Sequence, residues 1–476
     1  MVNVNEAQEW HRFKDEGGPT FSGNKSWRRY MEFLEKKLKE YGLVDLEKNK
    51  WMYERWYTSD WPDDSNWGLT SDGKEIRVAH YGAYSGQTGP DGITAELILY
   101  DFRRPPESIK DKIVVITSPP HPEPPYSEYY KAWFTITDYE YVTDPETMFP
   151  MYEKLPPNKT VSANVWWQIQ QLRKIYPILM KGQAAGCIAV FNMPYRRIAS
   201  LYTFPVPKLY NAPTVYLDRD VGKKVIEDAK NCKKATIRLR SQTEMAETYQ
   251  LIGYLPGRNY GSKEDEQVLL VTHTDGPCIS QENGALGVLG IVSDISKIPQ
   301  RERRRTLLIM LDNRHFMPGL ERSNMEYDWF TKHPDKKERI VAYVSLEHLG
   351  QLEYRETEEG VEPTGLPEIS YFWSANNKFL IEVCVNAIRD NQLPRAFLKC
   401  VERPGVHGQR QGVWYGLGSP SLYWDLKGCA LMGIMGAYWT TDSRLDMFDA
   451  QLFCKQVDAM TQVTRELMNV DLNMLN

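Results

Sequence analysis

The sequence predicts an α/β protein: a mixed, mainly parallel sheet sandwiched by helices, interrupted by an inserted β-rich domain. Three observations lead there. After residue 250, apolar runs of strand length alternate with segments of helical period, the pattern of strands that reach their neighbours through helical crossovers. Between 59 and 248 the texture changes to short β-branched runs separated by Pro, Gly and Asp turns. At 476 residues, the chain also exceeds the size at which one core keeps growing, so more than one domain is expected.

In chain order, residues 25–41 carry Trp27, Tyr30, Met31, Phe33, Leu34 and Leu38 at helical spacing. Ser22 or Asn24 can cap the start and Gly42 can end it. Residues 46–56 read as helical or mixed, so 1–58 is assigned to an N-terminal helical part of the main domain. In the insert, 59–248, strands are expected at 112–117, 184–191, 214–217 and 235–239. Within it, 119–165 is crowded with Pro, Tyr and Trp and keeps no period for long, which suits either a functional cover or a surface flap without a role. The remaining 249–476 is read as strands at 268–272, 306–311, 340–346 and 420–423, with helices at 285–296, 376–390 and 450–469.

A formal net charge of −5 gives no field for recruiting nucleic acid. The one tight basic run, 301–305, reads as a solvated loop. The N-terminal residues lack an apolar core of the kind export signals carry, and no stretch has the apolar length of a membrane span. A cytoplasmic protein without membrane partners is expected. The 7 cysteines are scattered and never in CxxC spacing, so they read as reduced core residues. His11, His80, His121 and His333 sit in polar stretches and read as surface or loop histidines.

The densest chemistry lies in 269–287, LLVTHTDGPCISQENGALG. A buried strand there runs into a polar loop carrying His273, Asp275, Glu282 and Asn283. Open α/β sheets place their chemistry at such strand ends, and imidazole with carboxylates is a donor set for a metal ion.

The pieces GGPTFSG, IKDKIVVI, GQAAGCIAVF, NAPTVYLDRD, GYLPG, THTDG, ENGALG, LGSPSLYW and AYWTTDSRLDMFD occur in that order along the chain. Their order resembles the dinuclear zinc aminopeptidase family that also contains glutamate carboxypeptidase and the transferrin receptor, in the version with an inserted protease-associated domain. The resemblance implies that His273 is the first metal ligand and that Asp275 orients it from behind. It puts Glu282 in place of the family's bridging Asp and Glu347 in place of its later Asp, with His348 beside it as an extra ligand or proton carrier.

The family's Glu-Glu pair falls on Arg314 and His315, and its last His on Trp439. Arginine stays protonated and cannot act as a base, so ordinary two-metal peptidase action is not expected. His315 remains able to coordinate. The resemblance also places His407, Arg410, Tyr438 and Trp439 at the substrate pocket, where Arg314 and Arg410 can hold a substrate carboxylate, and it implies a homodimer.

The residual site, His273, Glu282, Glu347 and His315, suits one divalent metal, zinc first, with manganese, iron or magnesium also fitting the ligand types. His315, His348, Asp275 and Arg314 are the candidates for catalytic roles. Three readings stay open: a non-standard metal-dependent hydrolase of a small-molecule or short peptide-like substrate; a lyase, dehydratase or isomerase on the same site; and a catalytically inactive binding protein.

Overall fold

The computed structural model describes residues 2–58, 66–117, 161–199, 211–277, 279, 282–316, 328–356, 361–368, 370–375, 377–400, 426–433 and 445–475, with backbone alone at 161–171. Among these, an eight-stranded sheet runs in the order Val44–Tyr57, Gln242–Leu255, Thr306–Asp312, Gln267–His273, Ile340–Glu347, Gly428–Gly433, Ser370–Ser374, Ala396–Cys400. The three central strands, Thr306–Asp312, Gln267–His273 and Ile340–Glu347, are parallel. Gly428–Gly433 continues them in parallel, Ser370–Ser374 pairs antiparallel with it and parallel with the edge strand Ala396–Cys400, and the two strands at the other edge pair antiparallel, so the sheet is mixed as expected.

Every residue of Gln267–His273 and Thr306–Asp312 is buried. Their alternating side chains feed separate cores on the two faces, as the period of a strand requires. Val268, Leu270, Leu307, Ile309 and Leu311 pack with the helices Gly284–Ile295 and Ala450–Asn469, while Leu269, Val271, Leu308 and Met310 pack with Trp329, Phe330 and Tyr343. The first of those helices can lie hard on the sheet because residue 284 is glycine. A Cβ there would fall 2.1 Å from the Leu346 carbonyl oxygen.

From Gln267–His273 the chain goes to the strand on one side, Thr306–Asp312, and next to the strand on the other, Ile340–Glu347. The carboxyl end of Gln267–His273 is therefore a topological switch point, where the departing loops diverge and leave a crevice. His273, Asp312 and Glu347 are the final residues of those three strands.

A second eight-stranded sheet, spanning residues 67–239, is inserted in the chain between the edge strand Val44–Tyr57 and its neighbour Gln242–Leu255. Its strands Ile113–Thr117, Gly186–Val190, Thr214–Leu217 and Lys234–Leu239 fall within a residue or two of the expected positions. The helix Val161–Gly182 lies partly within the segment read as having no lasting period; residues 118–160 lie outside the described residues.

Several sequence expectations change. Residues 46–56 are part of a long strand, not a helical or mixed segment: Asn49, Trp51 and Tyr53 alternate on the buried side, and the polar Asn49 among them and the apolar Met52, 49% exposed on the other side, hid that alternation. Its partner strand begins at Gln242, so 242–248, assigned to the insert, lies in the main sheet. Directly opposite Glu244 stands Arg55, with Nη2 2.7 Å from the carboxylate.

The basic run at 301–305 is not a solvated loop throughout. Arg305 is 1% exposed and its Nη1 donates to the carbonyls of Leu467, Met468 and Val470, closing the end of the last long helix. Strands Ser370–Ser374, Ala396–Cys400 and Gly428–Gly433 were not anticipated, and Cys232 is exposed while Cys187, Cys384, Cys429 and Cys454 are buried. Among the described residues no helix is long and apolar enough to cross a membrane.

His11 and His80, read as surface residues, are buried. His80 stands among Trp67, Tyr81 and Tyr216, and burial lowers its pKa from 6.5 to about 3. A base whose folded pKa is depressed stays neutral in the fold while the unfolded chain takes up a proton, so it lowers stability as pH falls from 6.5 toward 3. His80→Phe is expected to remove this contribution, flattening the loss of stability across that window by up to about 1.4 kcal/mol per pH unit. Urea melts at stepped pH check it; an unchanged slope would show that His80 does not carry the effect.

Candidate functional site

At the switch point the strand ends bring His273 against Glu347, Nε2 lying 2.5 Å from Oε2 with both side chains buried. The other carboxylate oxygen, Oε1, is 3.2 Å from Nε2 of His348. His348 turns into this position on a left-handed backbone, φ 57°, and its Nδ1 lies 3.1 Å from the Gly433 carbonyl. An N–H on Nδ1 donating to that carbonyl leaves Nε2 as the nitrogen that faces Glu347. The result is a buried chain from His273 through Glu347 and His348 to the Gly433 carbonyl, spanning three adjacent strands.

His315 sits over His273, ring centroids 4.1 Å apart at 60°, and is only partly buried. Of the site residues described so far, it is the one with a solvent-facing part.

Asp275 does not orient His273 through its carboxylate, as the resemblance implied. Its carboxylate oxygens accept from the backbone N–H groups of His315 at 3.2 Å and Phe316 at 2.7 Å, which fixes the loop carrying His315. It is the backbone carbonyl of Asp275 that faces Nδ1 of His273, at 3.4 Å. Burial raises the pKa of Asp275, against the opposing pull of His273 and the two N–H donors.

Glu282 is wholly buried beside Gly276, where a Cβ would fall 1.7 Å from its Oε1. The glycine is the space that this carboxylate occupies. Burial pushes the pKa of Glu282 up to about 8, with Asp275 and Glu347 adding to the rise and Lys14 and His273 opposing it. Lys14, which sequence reasoning missed, places its ammonium 3.6 Å from Oε2. It comes from the helix Val4–Gly17, whose buried side also carries His11, near Asn283 at 3.1 Å. The signal was present as the inward spacing Ala7, Trp10, His11, Lys14, but a polar helix face gives no reason to expect burial.

Arg314 is not available to a substrate carboxylate. It is 1% exposed, its Nε donates to Asp312 Oδ1 at 2.9 Å and its Nη2 to Asp328 Oδ2 at 2.9 Å. Burial works against its charge, yet the two carboxylates outweigh burial and raise its pKa. Gln250 donates to the far oxygen of Asp312 at 3.1 Å, completing a closed polar knot beside the site. His407, Arg410, Tyr438 and Trp439 lie outside the described residues.

The donor types at this strand end, imidazole and carboxylate, are ones that divalent metals take. Asp275, Glu282 and Glu347 are all buried, and burial raises the pKa of Glu282 and Asp275. Among the described residues, though, no three His, Cys, Asp or Glu side chains are gathered in a metal-holding arrangement. His273 Nε2 and Glu347 Oε2 at 2.5 Å stand at hydrogen-bond distance, closer than the ~3.3 Å that separates neighbouring ligands around a tetrahedral zinc. Holding a metal requires this pair to part.

Comparison with known proteins gives no match to any family model or curated protein. Solved structures do match. A peptidase M28 precursor from Shewanella amazonensis is similar over 98% of this chain and 95% of its own, with 13% identity and a TM-score of 0.65. A zinc aminopeptidase from Bacillus subtilis is similar over 100% and 98%, with 12% identity and a TM-score of 0.64. An aminopeptidase from Aneurinibacillus sp. strain AM-1 is similar over 98% and 93%, with 11% identity and a TM-score of 0.61. The chain has the aminopeptidase-like α/β fold.

Replacing Arg314 by Leu leaves Asp312 and Asp328 buried without their shared cation. The expected loss is about 3–5 kcal/mol of stability, read from a denaturant melt, and Asp328→Asn should restore part of it. A variant as stable as the parent would show that the two acids do not depend on Arg314.

Proposed function

We propose that this protein is a metal-dependent hydrolase of a small substrate, working with one divalent metal in place of two and without ordinary peptidase action. The observation that carries the reading is the burial of three ligand-type side chains, His273, Glu282 and Glu347, near the sheet's switch point, with His273 and Glu347 in contact, on a fold shared with zinc aminopeptidases. Those residues would hold the ion, zinc first by fold, with manganese, iron or magnesium compatible with the ligands. A divalent metal supplies Lewis acidity toward a carbonyl or hydroxyl oxygen.

The chain's own residues set what else can happen. His315 is positioned to exchange a proton with a small substrate, because its ring is partly open to solvent and its loop is pinned through Asp275. His348 and Glu347 form a proton path from the Gly433 side of the sheet to His273. Peptide hydrolysis asks for a carboxylate base beside the metal, and the position where the resemblance puts that base holds Arg314, locked between Asp312 and Asp328.

The His273, Glu347, His348 chain also favours a second reading, a lyase, dehydratase or isomerase, since a buried relay of this kind serves proton transfer as well as hydrolysis. A third reading, a binding protein without catalysis, draws on the way these same groups satisfy one another.

Elemental analysis of the purified protein separates them. About one equivalent of divalent metal is expected, lost on His273→Ala, together with negligible release from aminoacyl p-nitroanilides. No metal, and no thermal shift on adding zinc or manganese, would remove the enzyme reading's foundation; brisk turnover of the anilides would restore the peptidase.

A further inference from the structure

The strand Val44–Tyr57 forms one side of the main sheet, and among the described residues no strand lies beyond it. It is 14 residues long, whereas strands left at an edge are commonly kept short. One hydrogen bond shows which of its backbone groups face outward. The Trp56 N–H donates to the Tyr84 hydroxyl of the insert, so it is not spent on Gln242–Leu255. In an antiparallel strand the N–H and C=O of one residue point to the same side, and successive residues alternate sides. From residue 47 onward the register with Gln242–Leu255 is unbroken. Lys48, Lys50, Met52 and Glu54 therefore turn their backbone groups to the same outward side as Trp56, where Tyr84 ends the open stretch. The side chains of those residues are exposed, and Met245, across from Glu54, is 61% exposed.

The charges along this strand have opposite signs on the two sides of Trp51. Glu47 and Arg55 are equally far from it, as are Lys48 and Glu54, and Lys50 mirrors Met52. A second copy running antiparallel about a two-fold axis at Trp51 sets Glu47 against Arg55 and Lys48 against Glu54, and no like charges meet. An axis at Lys50 would put that lysine against itself. An axis at Met52 would bring Lys48 to Trp56, whose N–H is already taken. Charged side chains on an edge discourage pairing with foreign strands; this order of charges refuses most sequences and accepts its own. Lys48, Lys50 and Arg55 also pair within the chain, with Glu35, Glu247 and Glu244. The charges between copies thus select the register, while ladder hydrogen bonds and the covering of Met52 supply affinity.

We propose that the protein forms a two-fold dimer in which residues 48–54 pair antiparallel with the same residues of a second copy, with the axis at Trp51. Two eight-stranded sheets become one continuous sheet. The contact uses the same surface on both copies, so it closes at two and removes the edge.

Sedimentation of the full-length protein over a concentration series is expected to show a reversible dimer. Met52→Pro removes an outward N–H from the middle of the ladder, at a position where an edge strand tolerates proline, and should be monomeric. Lys48→Glu and Glu54→Lys each turn opposite-charge pairs into like-charge pairs and are expected to raise the dimer dissociation constant about tenfold. An equimolar mixture of the two restores unlike signs in the mixed dimer and should associate as the parent does. Cross-linking reads the register, in a Cys232→Ser background because Cys232 is exposed. Residues 50 and 52 of opposite copies fall ~5.5 Å apart between Cα atoms in a hydrogen-bonded pair, within disulfide reach. A mixture of Lys50→Cys and Met52→Cys proteins should oxidise to a covalent dimer, and neither one alone should.

A parent that stays monomeric throughout the series overturns the inference. So does a dimer that survives Met52→Pro, or one in which Met52→Cys cross-links to itself, because each places the contact elsewhere. Where Met52→Pro does not fold, the charge variants decide: equal dissociation constants for the parent and both variants overturn the pairing.

Discussion

Five carboxylates, Asp275, Glu282, Asp312, Asp328 and Glu347, are buried at one edge of one sheet, and the fold around them is arranged to make that tolerable. An ionised carboxylate removed from water is costly unless it is paired or hydrogen-bonded. The five are answered in four ways: Asp312 and Asp328 share Arg314, Asp275 takes two backbone N–H groups, Glu347 lies between two imidazoles, and Glu282 faces a lysine. Those answers come from distant parts of the chain. The N-terminal helix, the loop after Thr306–Asp312 and the loop after Ile340–Glu347 are all committed to the same few ångströms.

The architecture makes this convergence possible. A parallel sheet ends its strands together, and at a switch point the connections leave in opposite directions, opening a crevice in which polar groups from separate strands meet. The small residues at its margins are as much a part of the site as the charged ones. Gly276 leaves the volume that Glu282 fills, and Gly284 lets the following helix begin directly against the Leu346 carbonyl. A site built this way is stiff at its base, while its one partly open group, His315, stands at the solvent side.

The fold is retained over nearly the full length of the compared structures at 11–13% identity, so what has been conserved in space is the arrangement of strands, not the residues on them. Arg314 is instructive. As a sequence position it reads as a lost base. In the structure it is the cation of a closed knot with Asp312, Asp328 and Gln250, which supports the strand end instead of addressing a substrate.

Much of the fold was legible from the chain alone. The central strands announce themselves as apolar runs because they are buried on both faces, and the helices that cover them keep their period because one side must face the sheet. The long edge strand Val44–Tyr57 was not legible, since Asn49 on its buried side and Met52 on its outward side broke an alternation that only its pairing with Gln242–Leu255 makes meaningful. Of the site, the sequence by itself placed His273 and Glu347 at strand ends, because strand termini can be located by apolar length, and Glu282 in the polar loop that follows His273. Only the tertiary structure decided how their charge is balanced. Lys14 lies 268 positions from Glu282 in a helix of polar appearance, and no local pattern reveals which buried acid a lysine will meet.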